Sequence, residues 1–216
     1  MMHAPRRTLA TRDAAWARAL ARFLGRAAVQ PNSVSIAGVL FAIFASALFY
    51  IVPDVAPDMR APVLVLTAAS IQLRLLCNLL DGMLAVEEGL KSKTGELYNE
   101  LPDRIADVVI LVGAGYSVRG LSVGPALGWG AAVTAVFTAY VRALGGSIGV
   151  TQHFIGPMAK QHRMFALTIA TLCAAVEATF GMPRRALVIG LVVIAAGSIV
   201  TAYRRTQRIV SEVAAP

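Results

Sequence analysis

Residues 78–107 read NLLDGMLAVEEGLKSKTGELYNELPDRIAD, and they join the end of one apolar segment to the start of the next. Asn78 and Asp81 lie three residues apart in the first segment, and Asn99 and Asp103 lie four apart in the second, so each pair shares one face of a helix. A carboxylate at the margin of a bilayer is costly unless it is paired, hydrated or bound to a cation. The stretch therefore predicts two adjacent antiparallel helices whose ends face one polar site.

Composition places these helices in a membrane. Only 15% of the 216 residues are charged and 57% are hydrophobic, whereas a soluble domain carries about 25% charged residues. The mean hydropathy is +0.67. Six apolar segments each approach the ~20 residues that cross a hydrocarbon core, and they cover residues 33–52, 62–85, 96–118, 124–144, 164–180 and 185–203. We therefore predict an all-α polytopic membrane protein with six transmembrane helices, in one domain at 31–204 with a short tail at 205–216.

Basic residues predict the orientation. Of the twenty Lys and Arg, thirteen lie in segments on the side of the N-terminus, and four lie in the opposite loops, namely Arg60, Arg119, Arg184 and Arg185. This bias predicts that both termini, and the polar site, face the cytoplasm across a cytoplasmic (inner) membrane. The net charge of +8 is explained by this topology and by anionic lipid. We predict no nucleic-acid partner, since no basic patch is interleaved with stacking aromatic residues.

The first thirty residues form a basic juxtamembrane segment of their own. Trp16, Leu20, Phe23 and Leu24 repeat at the spacing of one helix face, with arginines on the other faces. This pattern predicts an amphipathic helix that lies on the inner leaflet, with a solvated helical tail as the alternative. The segment shows no compact apolar run or small-residue cleavage site typical of a cleaved signal peptide.

The acidic and amide side chains favour a hard cation. Carboxylate and amide oxygens are ligands of Mg2+ or Mn2+, and zinc is disfavoured because no histidine or thiolate is near; Cys77 and Cys173 are expected to be packing residues. Further acids that would supply ligands are Glu96, Glu100 and Asp107. Alternatively, these acids hydrate the helix ends and pair with neighbouring basic residues.

The spacing resembles the signature of the CDP-alcohol phosphotransferase family, D-x2-D-G-x2-A-R-x8-G-x3-D-x3-D. Without insertion or deletion, the signature falls on Asn78, Asp81, Gly82, Ala85, Val86, Gly95, Asn99 and Asp103. Five of these eight positions carry the family residue. The resemblance extends over residues 28–203, since the Pro-Asn pair before the first span and the Tyr-x-Arg-Ala sequence at the end of the fourth, which contains Arg142, also match.

The resemblance implies a reaction. A phosphatidyl group passes from CDP-diacylglycerol, or a similar CDP-alcohol, to a small alcohol, and CMP leaves. It implies metal ligands at the four Asp positions of the signature, which are Asn78, Asp81, Asn99 and Asp103. It also implies that Asp103 acts as the general base and that Gly82, Ala85 and Gly95 line the nucleotide site. Membrane lipids and a second copy of the chain, in a homodimer, are the expected partners.

Three departures from the signature leave a second interpretation open. Asn78 and Asn99 each remove one negative charge, which weakens a divalent cation site, and Val86 replaces an arginine. A relative without catalytic activity, which binds nucleotide lipid or organises lipid synthesis, would show the same substitutions. A small transporter is less favoured because the acids cluster near one membrane face and no inverted repeat is evident.

Several basic residues are predicted near the same face. Arg74 lies deep in the second span, where it would pair with Asp81 or Asp107 or bind a phosphate. Basic residues that would form a pocket for a phosphorylated acceptor or a lipid phosphate are Arg142, Lys160, His162 and Arg163. Contact with lipid headgroups is the alternative interpretation.

Overall fold

The structure is a computed structural model that describes residues 14–87 and 95–214, apart from the side chains of 86–87, 95–96 and 98–99. This part of the chain folds into seven helices and contains no strand. They are α1 (Ala15–Arg26), α2 (Pro31–Ile51), α3 (Pro57–Glu87), α4 (Gly95–Ser117), α5 (Gly124–Ser147), α6 (Lys160–Thr179) and α7 (Arg185–Val213). The sequence-based prediction of an all-α fold is confirmed. The segment that joins α3 to α4, residues 88–94, lies outside the described residues.

Helices α2 to α7 form a closed ring. Helix α2 packs against α3 and α4, α4 against α5, α5 against α7, α7 against α6, and α6 against α3. Because the helices alternate in direction, one end of the ring collects the C-terminus of α3 and the N-termini of α4 and α6. The buried charged side chains of this part of the chain all lie toward that end, which we call the polar end.

Prolines and small residues explain where these helices begin and how closely they pack. Pro31 and Pro57 are the first residues of α2 and α3, a position that tolerates proline because its missing N–H would have no helical partner. At the opposite end from the polar site, Gly115 of α4 faces Gly128 of α5. A Cβ added to Gly115 would lie 2.7 Å from the Gly128 Cα atom, so the two backbones touch, as small residues allow in membrane bundles.

Helix α1 lies outside the ring. Its Ala17 and Ala21 are fully buried in a small cluster with Leu80, Met83 and Leu84 of α3, and its large residues Trp16 and Phe23 are exposed. The helix predicted within residues 1–30 is therefore present at 15–26, while residues 1–13 lie outside the described part. Its position on a membrane surface stays a prediction.

Four helices of the described chain are long and apolar enough to cross a membrane, and they cover Pro31–Ile51, Pro57–Ala85, Gly124–Ser147 and Arg185–Val213. They indicate an integral membrane protein. The two further spans predicted at 96–118 and 164–180 are helical in α4 and α6, but their crossing of the membrane stays a prediction. The tail predicted from residue 205 continues α7 to Val213.

Candidate functional site

Asp81 occupies the polar end of α3 and is almost completely buried, with 5% of its surface exposed. Its Oδ2 atom accepts a 2.6 Å hydrogen bond from the Ser35 hydroxyl of α2. Its Oδ1 atom is buried and has no hydrogen-bond partner among the described residues. A buried carboxylate oxygen without a partner is costly, so this atom is a place where a ligand or a water molecule would bind.

Lys160 is the first residue of α6, and its ammonium group joins three helices. Its Nζ atom donates hydrogen bonds to Oδ1 of Asn78 in α3 and to Oδ2 of Asp103 in α4. The N-terminus of α6 therefore enters the space between the two helix ends that the sequence predicted to face each other. The long aliphatic part of Lys160 places its positive charge inside this space. The side chain as a whole is 16% exposed.

Asp103 is held between two cations. Its Oδ1 atom lies 3.3 Å from Nη2 of Arg74, and its Oδ2 atom bonds to Lys160. Both carboxylate oxygens are thus engaged, and 12% of the side chain is exposed. Each of these contacts uses one of the lone pairs of the carboxylate, which has about four in all.

One helical turn further along α4, Asp107 forms a second ion-pair group with Arg74 and Arg163. Its Oδ1 atom lies 2.9 Å from Nη2 of Arg74, and its Oδ2 atom lies 2.7 Å from Nη2 of Arg163, with all three side chains only 1% exposed. Arg163 also donates to the Met158 carbonyl at 3.0 Å. Of the two acids expected to pair with Arg74, the structure brings it to Asp107, and no described contact joins it to Asp81. Its contact with Asp103 was not predicted.

The rim of the polar end carries a looser set of charges. Glu100 accepts a 2.6 Å hydrogen bond from Arg142 of α5, whose guanidinium lies 5.1 Å from the centre of the Phe154 ring. Glu100 also lies 3.8 Å from Arg104. His162 is exposed, and its Nδ1 atom lies 3.0 Å from the Pro157 carbonyl oxygen.

A small cavity opens beside the unpaired oxygen of Asp81. Its volume of about 10 Å3 is enough for one water molecule. It lies between α2, α3 and α4, and it is lined by Ser35, Gly38, Val39, Arg74, Asn78, Asp81, Pro102, Asp103 and Ala106. The nucleotide lipid that the resemblance implies would therefore have to enter by displacing side chains or by binding above the cavity.

The described residues do not fit a divalent cation. Among them, no three Asp, Glu, His or Cys side chains come together in a way that would hold a metal ion. Asp81 offers one unpaired oxygen, whereas Asn78 and Asp103 already bind the ammonium group of Lys160. A hard cation is held by carboxylates together with water molecules or substrate phosphates, and a positive side chain beside those carboxylates would repel it.

The structure thus brings part of the predicted site together. Asn78, Asp81 and Asp103 meet as expected, and Gly82 and Ala85 follow them, half-buried, on α3. Gly95, Glu96 and Asn99 lie in the first turns of α4. The side chains of Glu96 and Asn99 and the surroundings of Gly95 are outside the described set, so their predicted roles stay predictions. The sequence analysis did not predict that Ser35 belongs to the site. A serine near the N-terminus of the apolar helix α2 was the only feature that could have indicated it.

Comparison with known proteins identifies the fold. No protein-family model matches the sequence, and no curated protein matches it. Among solved structures, the chain is similar to the phosphatidylinositol phosphate synthase PgsA1 of Mycobacterium tuberculosis with CDP-DAG bound, with a TM-score of 0.74 and 21% identity over 91% of this chain and 94% of the synthase.

Two further structures of that synthase are also similar. The complex with manganese and citrate has a TM-score of 0.71 and 22% identity over 89% of this chain and 88% of the synthase. The apo form has a TM-score of 0.69 and 21% identity over 87% and 93%. This synthase is a member of the CDP-alcohol phosphotransferase family, so the resemblance found in the sequence is confirmed at the level of the fold.

Proposed function

We propose that this protein transfers a phosphatidyl group from a CDP-linked lipid, CDP-diacylglycerol in the first instance, to a small alcohol with release of CMP. The observation that carries the proposal is the convergence of Asn78, Asp81 and Asp103 at the polar end of a ring that has the fold of a synthase with CDP-DAG bound. Gly82 and Ala85 add to this support, because both match the signature and lie on the same helix end.

In the proposed reaction, the alcohol oxygen attacks the phosphorus that carries the diacylglycerol. The bond from that phosphorus to the bridging oxygen breaks, and its electron pair leaves on CMP. The alcohol proton goes to a carboxylate oxygen of Asp103, the proposed general base. An interfacial site suits this chemistry because the acyl chains stay along the apolar helices while the cytidine stays in water.

We further propose that the alcohol that accepts the phosphatidyl group is itself phosphorylated. Arg74 and Arg163 are both engaged with Asp107 and are only 1% exposed, which argues against their serving a phosphate. Exposed His162 is better situated to meet an anionic acceptor, because a substrate reaches it from solvent. Arg142 is 14% exposed and would first have to part from Glu100. Glycerol 3-phosphate, an inositol phosphate and serine are the acceptors to compare.

The site is proposed to face the cytoplasm, with both termini on that side and with two copies of the chain in a homodimer. Mg2+ or Mn2+ was predicted from the sequence, and one similar synthase structure is in complex with manganese. The described donors of this chain do not fit such a cation, so the reaction is proposed here without a step that runs through a metal.

The test uses the purified full chain in liposomes that contain CDP-diacylglycerol and a pool of candidate alcohols. We expect CMP release that depends on the acceptor, together with a new lipid that mass spectrometry identifies. Asp103→Asn should abolish release, because an amide takes up no proton. The Glu212→Gln variant, in which 27% of the acid is exposed, serves as the control for loss of one acid. If the wild type releases no CMP with any acceptor, either in excess EDTA or in excess Mn2+, the transferase proposal is wrong.

One observation favours a second candidate, a relative that binds nucleotide lipid without turning it over. Both oxygens of Asp103 are engaged by Arg74 and Lys160, which leaves fewer of its lone pairs open to a substrate hydroxyl. Such a protein would retain CDP-diacylglycerol in a liposome flotation assay and release no CMP. The same assay with each acceptor added separates the two candidates.

A further inference from the structure

Lys160 lies where the resemblance predicts a divalent cation. Its ammonium group donates to Asn78 and Asp103, which are the first and last of the four positions expected to bind metal. An ammonium group is a compact cation with three N–H donors. Lys160 therefore links the ends of α3 and α4 as a shared cation would.

The described acids at this end are all matched by cations without a metal. Asp81, Asp103 and Asp107 lie among Arg74, Lys160 and Arg163. At the rim, Glu100 lies with Arg104 and Arg142. Asn78 and Asn99 carry no charge, so each departure from the signature removes one negative charge that a metal would need. A divalent cation added to this group would leave two positive charges without partners in a largely buried place, which is strongly unfavourable.

The described surroundings of the group add one acid, Glu100, which is already paired with Arg142 and lies near Arg104. Buried Arg205 of α7 donates to the Thr138 carbonyl at 2.7 Å, and Arg163 donates to the hydroxyl of the same threonine at 3.3 Å. On the side of the group that faces α7, Arg205 is thus a further cation near Arg163. The substitutions at Asn78 and Asn99 and the inward lysine are mutually consistent, and together they replace a metal site with a site for an anion.

We propose that the ammonium group of Lys160 takes the place of the divalent cation, so that this protein binds the diphosphate of a CDP-linked lipid without metal. The inference rests on the proposed function for the identity of the lipid. Two of the lysine's three N–H donors bond to Asn78 and Asp103, and the third, which bonds to none of the described side chains, would bind a phosphate oxygen. Lysine binds phosphate as a point charge, which is the role that a metal ion would otherwise have on the diphosphate.

The first experiment measures lipid binding with the full chain in detergent and CDP-diacylglycerol as the probe. We expect the same dissociation constant in excess EDTA as in excess Mn2+. Lys160→Met should weaken binding about tenfold or more, the loss expected for one charge-assisted hydrogen bond, because it keeps the stem and removes the charge. The matched control is Arg204→Met, which removes one positive charge from an exposed position of α7 and should bind as the wild type does.

The second experiment measures metal binding directly by the electron paramagnetic resonance of Mn2+. The wild type should leave the Mn2+ signal at that of the free ion. The triple variant Asn78→Asp, Asn99→Asp, Lys160→Met restores two acids and removes the lysine, and it should bind Mn2+. Stoichiometric Mn2+ binding by the wild type that is lost in Asp81→Asn would overturn the inference, and so would lipid binding that needs metal.

The two experiments separate this inference from the proposed function. Lipid binding that needs Lys160 but no metal, without CMP release under any condition, would support the inference and refute the transferase. CMP release that needs Mn2+ would support the transferase and refute the inference. If the wild type binds no CDP-diacylglycerol with or without metal, the inference is wrong.

Discussion

Asp107 contacts two guanidinium groups that come from different helices, and all three side chains are 1% exposed. Among the described acids, only Asp103 is a further partner of this group, through its contact with Arg74. Loss of the central charge would therefore leave two buried cations poorly compensated. Breaking a buried ion pair by removing one partner typically costs more than the pair contributes, because an unpaired charge remains.

We accordingly expect Asp107→Asn to lower the free energy of unfolding by about 3 kcal/mol or more. The measurement is thermal unfolding of the purified protein in detergent, followed by circular dichroism. The matched control is Asp54→Asn, which neutralises an acid paired with Arg119 at 2.5 Å where 64% of the acid is exposed; exposed pairs contribute about 1 kcal/mol or less. Equal effects of the two variants would contradict this account of the buried group.

Ser35 gives a second test at this scale. Its hydroxyl is the described partner of Asp81, so Ser35→Ala should leave both oxygens of that buried carboxylate without a hydrogen bond. We expect the free energy of unfolding to fall by about 1.5 kcal/mol or more, since a bond to a charged group is stronger than a neutral one. Ser147→Ala is the control, because that exposed hydroxyl bonds only to a carbonyl of its own helix. An unchanged unfolding temperature in Ser35→Ala would refute the assigned contact.

The site was predictable only as far as local spacing determines it. Asn78 and Asp81 share a face because they are three residues apart, and the next helix returns after a short loop, so the sequence predicts that Asp103 meets them. Lys160 lies 82 residues from Asn78, and its inward position depends on where α6 packs in the ring. Spacing within one helix carries no information about that arrangement.

At the scale of elements, the contact between α4 and α5 depends on two glycines. The nearest atoms to a Cβ at Gly115 are backbone atoms of Gly124 and Gly128, at 2.7 Å. Backbone atoms cannot move aside as the end of a flexible side chain does. The two helices must therefore separate if either glycine gains a side chain.

Gly115→Ala should lower the free energy of unfolding by about 1–3 kcal/mol, the usual cost of overpacking. The control is Gly130→Ala on the exposed face of α5, where an added Cβ meets no atom within 4 Å. That substitution should be neutral or slightly stabilising, because alanine is the better helix former. Thermal unfolding of the two variants side by side is the measurement, and a loss in Gly130→Ala as large as that in Gly115→Ala would contradict the packing argument.

Helix positions were more predictable than helix ends. Each of the six apolar segments falls within one of the helices α2 to α7, give or take a few residues, because a long apolar run has little choice of structure in lipid. The start of α6 at Lys160 precedes the predicted start by four residues, since the apolar pattern begins only after its charged first turn. For the same reason, the polar last turns of α7 were expected to be a tail.

For the whole molecule, the two ends of the ring are proposed to face opposite sides of the membrane, and labelling can test this orientation. The polar end carries the buried charges, and the opposite end includes the α4–α5 turn with exposed Ser122. In a variant without Cys77 and Cys173, we expect Ser122→Cys to react with a membrane-impermeant maleimide added outside intact cells. Ser211→Cys, near the end of α7, should react only after the cells are opened. Labelling of both from outside would contradict the proposed orientation.

The distribution of charge among the helices also has a consequence for biosynthesis. Before α6 is made, the described cations beside Asp81, Asp103 and Asp107 are Arg74 and Arg104, of which only Arg74 contacts Asp107. Lys160 and Arg163 arrive only with α6, and Arg163 lies 56 residues after Asp107. A half-made chain therefore holds buried acids that lack two of their partners, which is unfavourable away from water. The nascent protein is expected to keep that end hydrated until α6 docks, so the site is completed late, during synthesis of the last third of the chain.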